Sequence, residues 1–179
     1  MIDTLTLIAT CIAACAATLI GYKANKIATN MAATSAHDMV SQALLDLTTG
    51  EVEDARDTIG SFRYAPESKV ENISISELTR SYYRLTWAIE RSSSALTSIN
   101  ESRWEKYAES AVNDQWSWHL KEISRNLDII TLVDSLKIND DVARSRRAQI
   151  LKRLNIEYDE ITKEDIDNGC RRAQLLQRQ

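Results

Sequence analysis

Glycine and proline are scarce in this chain of 179 residues, which has four of the first and one of the second. Tight turns, sheet corners and phosphate-cradling loops depend on them, and Gly21, Gly50, Gly60 and Gly169 each stand alone. No Walker loop or dinucleotide fingerprint can be written around an isolated glycine. Three cysteines, two of them at Cys11 and Cys15, do not make a disulfide framework and fit a reducing compartment. His37 and His119 are the only histidines, and neither belongs to an HExxH or ExxH pair. Cys170 precedes Arg171 and Arg172, which favour a thiolate, but no second cysteine or base lies near it in sequence. No catalytic residue, cofactor site or metal-ligand set is therefore read, and an enzyme is not expected.

What the chain has in quantity is Ala, Leu, Ile, Glu, Arg and Lys, the composition of an all-α protein. Residues 4–22 carry no formal charge and are closed by Asp3 on one side and by Lys23 and Lys26 on the other. As a helix this stretch is about 28 Å long, close to the roughly 30 Å of a bilayer core, and it reads as a transmembrane anchor. Lys23 and Lys26 then place the C-terminal side in the cytoplasm and the N-terminus outside, as for a single pass of the inner membrane. Ala9, Ala13, Ala17 and Gly21 recur every fourth residue and form a stripe suited to close helix packing, hence to a homo-oligomer. A cleaved signal peptide lacks its basic n-region here, and a lipidated Cys15 after Ile12-Ala13-Ala14 is opposed by the apolar run that continues to Ile20. The other alternative is a core helix of a soluble assembly.

Four regions follow: an anchor over 1–22, a stalk helix over 23–50, an antiparallel helical bundle over 51–138 and a C-terminal helical extension over 139–179. Thr48 with Glu51, Ser74 with Glu77, Ser102 with Glu105 and Thr162 with Asp165 have capping-box spacing and mark helix starts. The segment 63–75, with Pro66, reads as the longest loop. Leu78, Tyr82, Leu85, Ile89, Ser92, Leu96 and Ile99 alternate steps of four and three and give the central bundle helix. The Ser92-Ser93-Ser94 triplet leaves room there for a neighbouring helix or an aromatic ring. The next helix runs from 103 to about 136, and Trp87, Trp104, Trp116 and Trp118 with Tyr82 and Tyr83 are expected to fill a small core.

The charge is uneven, with 12 Lys and Arg against 18 Asp and Glu in residues 1–136 and 10 against 8 in residues 137–179. Arg144, Arg146, Arg147, Lys152 and Arg153 make the tail a candidate for anionic partners. Its final helix, interrupted by Gly169, opens on Lys163-Glu164-Asp165-Ile166-Asp167, and that acidic end would be repelled by phosphate, which argues against nucleic acid as a partner.

The anchor, the helix start Glu51-Val52-Glu53-Asp54-Ala55-Arg56 and the paired aromatic-bearing helices resemble small membrane-anchored helical proteins of bacteria and their phages, over roughly residues 4–136. That resemblance implies one N-terminal pass leading through a stalk into a helical domain and carries over no functional residue. The expected function is a membrane-anchored, oligomeric interaction or scaffold module in envelope-level regulation or defence, with the lipid bilayer and an unidentified protein as partners. The alternatives are nucleic-acid binding by the basic tail and a structural subunit of a larger assembly.

Overall fold

The computed structural model describes residues 4–100, 115–138, 140–154, 156, 157 and 159–178, which are all-helical with no strand among them. Helix α1 (Thr4–Thr48) runs unbroken for 45 residues, because it holds no proline and a single glycine, Gly21, and is rich in alanine, the strongest helix former. It stops at Gly50, whose φ of +62° is the left-handed conformation that glycine adopts freely. Thr49, not Thr48, is the N-cap of α2 (Gly50–Tyr64), and its hydroxyl donates back to the Leu45 carbonyl. Val52, Ala55, Ile59 and Phe62 are buried along the expected face of α2.

The segment expected as the longest loop is shortened by a helical turn and contributes two buried side chains. A single turn, α3 (Glu67–Val70), follows Pro66, and Val70 and Ile73 are buried beneath it. The Ser74 hydroxyl then accepts from the Glu77 backbone N–H and opens α4 (Ile75–Asn100). Leu78, Tyr82, Leu85 and Ile89 are fully buried on its inner face, as their spacing requires. Ser92 and Ser93 are buried too. The expected Ser102–Glu105 start, Trp104 and the side chains of Leu96, Ile99 and Trp116 lie outside the described residues.

Helix α5 (Gln115–Thr131) buries Leu120, Ile123, Leu127 and Ile130 and ends sooner than its apolar pattern suggests. A 3-10 turn (Asp134–Leu136) follows, closed by Lys137 at a left-handed φ of 55°. Helix α6 (Asp141–Arg153) is capped by Asp140, which accepts from the Ala143 N–H. Helix α7 (Lys163–Leu176) carries the Thr162–Asp165 capping box with both arms formed. Gly169 does not interrupt it: a Cβ there would meet Val133 Cγ2 at 2.7 Å, so the glycine lets α7 approach the segment between α5 and the 3-10 turn.

One apolar core runs from Leu47 of α1 to Leu176 of α7, so the C-terminal helices share the core of the bundle. The aromatics do not fill it as expected. Tyr82 and Phe62 are inside, whereas Trp87, Trp118 and Tyr83 are exposed. Aliphatic side chains of α2, α4 and α5 make up most of the core between these helices instead.

Among the described residues, no helix is long and apolar enough to cross a membrane. This corrects the single-pass topology and the inner-membrane location expected from residues 4–22. In residues 10–27, alanine and threonine outnumber Ile12, Leu19, Ile20 and Ile27, and Tyr22, Lys23, Asn25 and Lys26 fall in the same stretch. Small side chains favour a helix but contribute little transfer energy.

Candidate functional site

The N-terminal half of α1 stands clear of the bundle. Among its described side chains, those buried are Ala43 and Leu47, where the helix docks on α2 and α4. Further out, Ile8, Ile12, Leu19, Ile20, Tyr22, Ile27 and Met31 are each 53–68% exposed. The surface is less polar than its composition suggests. Thr18, Thr29 and Thr34 turn their hydroxyls onto the carbonyls of Ala14, Asn25 and Asn30 at 2.7, 2.8 and 3.0 Å.

These residues form two seams. Ile8, Ile12, Cys15, Leu19 and Tyr22 advance in alternating steps of four and three, ending at Lys26. Ala13, Ala17, Ile20, Ala24, Ile27 and Met31 do the same, roughly 140° away around the axis at 3.6 residues per turn. Of the stripe expected to pack closely, Ala13 and Ala17 are exposed and belong to the second seam, and a Cβ on Gly21 would meet nothing within 4 Å. The Ala9 side chain and Asp3 lie outside the described residues. Lys23 and Lys26 are exposed, with Lys23 between the seams.

The tail arginines are only partly a surface. Arg147 is 0% exposed and reaches through the core to Asp128, with Nη2 at 2.6 Å and Nε at 3.0 Å from Oδ1. Its Nη1 donates to the Tyr82 hydroxyl at 3.2 Å and to Thr86 at 3.4 Å, and the guanidinium lies 5.5 Å from the Tyr82 ring centroid. Burial acts to lower the Arg147 pKa, but Asp128 and Tyr82 outweigh it and hold the group above its ordinary value. Arg146 pairs with Glu90 at 3.4 Å on the surface, Arg144 is half-buried, and Lys152 and Arg153 are exposed. Arg147 is thereby withdrawn from any anion-binding face.

A second polar knot joins α7 to the bundle. Asp165 receives Arg63 of α2 at 2.9 Å and Arg125 of α5 at 2.7 Å while it caps its own helix. Burial would raise its pKa, but the hydrogen bonds from Thr162 and then Arg63 and Arg125 outweigh this and hold it below the usual carboxylate range. Arg172 donates to the Phe62 and Ala65 carbonyls at 3.0 and 2.7 Å, covering the C-terminal end of α2.

A groove of about 810 Å³ separates α2 from α5. Ile59, Leu85 and Ile123 form its floor, and the exposed rings of Trp118 and Tyr64 flank it. At one end the Tyr64 hydroxyl donates to Glu122, and Asn126 Nδ2 donates to the same carboxylate oxygen at 3.0 Å. Burial, reinforced by Glu122, raises the Tyr64 pKa and keeps the phenol protonated. At the other end burial and the nearby Arg56 lower the His119 pKa, which favours the neutral imidazole. Sequence reasoning missed this groove, as it missed Asp128 and Asp165 as anchors. Asp128 did leave a signal, being an acid set among Leu127, Ile129 and Ile130 that demands a buried cation.

Comparison of the chain with protein-family models, with curated proteins and with solved structures found no match.

Proposed function

We propose that this chain is a non-enzymatic helical scaffold that assembles with copies of itself through the outer half of α1 and presents the α2–α7 bundle as a rigid head. The observation that carries this reading is the pair of exposed apolar seams between Ile8 and Met31. A helix that is apolar over more than one side is stable in water when neighbours cover it. One neighbour covers one seam, so two seams roughly 140° apart suit an assembly of three or more helices. Small residues at Ala13, Ala17 and Ala24 allow close approach, and the buried pairs Arg147–Asp128 and Arg63–Asp165 fix the head so that assembly does not deform it.

Cys15 lies in the first seam and is exposed. With Cys11→Ser and Cys170→Ser as background, mild oxidation of the full-length chain at micromolar concentration should yield a disulfide-linked dimer through Cys15. Adding Ile12→Asp should abolish that product. Absence of an intermolecular product, or an equal yield with Ile12→Asp, overturns the reading.

A further inference from the structure

We propose that the groove between α2 and α5 is a binding site for a small organic cation with a flat apolar body. This inference stands apart from assembly through α1. Its volume of about 810 Å³ falls within the roughly 300–1,000 Å³ of small-molecule sites. The aliphatic floor suits the apolar part of such a ligand, and the Trp118 ring, on a residue 61% exposed, offers a face for stacking and for cation–π attraction.

The charge is set by Glu122. Its two hydrogen-bond donors, the Tyr64 phenol and the Asn126 amide, are neutral and converge on one oxygen. Among the described residues no cation forms an ion pair with it, whereas Arg56 lies 3.8 Å from Asp57 on the opposite rim. A half-buried carboxylate held in place by neutral donors is an acceptor oriented for a cation that comes from outside the chain. Asn126, only 4% exposed, fixes that orientation from below and is itself held by the Arg63 Nε at 3.3 Å.

Gly60 supplies an independent sign. It sits inside α2, where glycine costs about 1 kcal/mol relative to alanine. Packing does not require it, since a Cβ there would meet nothing within 4 Å, and its φ is not left-handed. What the missing side chain provides is open width in the groove, which Gly60 lines.

The test is a titration of the full-length protein with p-aminobenzamidine, a flat aromatic cation whose fluorescence rises in apolar surroundings. Saturable binding is expected, weakened about tenfold or more by Glu122→Gln through loss of the charge-assisted contact. Gly60→Leu should abolish binding while preserving or raising the melting temperature, and the exposed Trp118→Ala should weaken binding without altering the fold. p-Aminobenzamide, neutral and of similar shape, should bind at least tenfold more weakly than the cation. No saturable signal up to millimolar probe overturns the proposal, and so does equal binding by Glu122→Gln, by Gly60→Leu or of the neutral analogue.

Discussion

Replacing Arg147 with Met keeps most of the side-chain volume and removes the charge. Asp128, 2% exposed, then loses the guanidinium that lies 2.6 and 3.0 Å from its Oδ1, and Tyr82 and Thr86 lose a donor. Removing one partner of a buried pair typically costs about 3–5 kcal/mol, because the surviving charge remains desolvated. A domain of this size has a total stability of roughly 5–15 kcal/mol, so Arg147→Met should remove about a fifth of it or more. Exchanging both partners is different: Arg147→Met with Asp128→Leu leaves no buried charge and should recover most of the loss. The measurement is urea unfolding of the wild type, both single variants and the double variant, followed by circular dichroism and analysed as a cycle. A coupling of at least about 2 kcal/mol is expected, with little dependence on salt because neither group faces solvent. A loss under 1 kcal/mol in Arg147→Met, or strictly additive single variants, would refute the assignment of this pair as the lock between α6 and the bundle.

Asp165→Asn should cost about 2 kcal/mol at neutral pH by weakening the contacts to Arg63, Arg125 and the Thr162 cap. Because folding lowers the Asp165 pKa, its contribution is fully present above the unfolded value of about 3.9 and is lost as pH falls through the folded value. The stability gap between wild type and Asp165→Asn should therefore close in acid, and a gap that widens below pH 4 would contradict the sign. Gly169→Ala should destabilise by about 1–2 kcal/mol: the new methyl meets Val133 Cγ2 at 2.7 Å, and the strain on that stiff side chain exceeds the helix-propensity gain. Thermal unfolding of the two proteins checks it, and an unchanged or raised midpoint would show that α7 has room to move.

Local features were the legible part of the fold. Ser74 before Glu77 and Thr162 before Asp165 announce their caps because a cap is written within one turn of chain. The period of Leu78, Tyr82, Leu85 and Ile89 announces a buried face because a helix places those positions together. Arg147 was not legible. On its own helix it is one of several basic residues, and only the placement of Asp128 and Tyr82 on two other helices makes it the buried one. Trp118 was misread for the same reason, since aromatic area alone does not say which side of α5 the floor residues Ile59 and Leu85 will occupy. The groove is invisible in sequence because Tyr64 and Glu122 are 58 residues apart and meet only across α2 and α5. The uncharged N-terminal run is visible in the sequence and has the length of a membrane span, but its small side chains give it too little apolar area for one.

In the proposed assembly, copies of this chain cover the apolar seams of α1. Sedimentation equilibrium of the full-length protein in detergent-free buffer, over a micromolar concentration series, tests it most directly. A mass of at least three times the 20.2 kDa chain is predicted, falling towards one chain with Ile12→Asp and Ile20→Asp combined. A single 20.2 kDa species at every concentration would contradict the claim, as would a monomer that floats with phosphatidylcholine–phosphatidylglycerol vesicles.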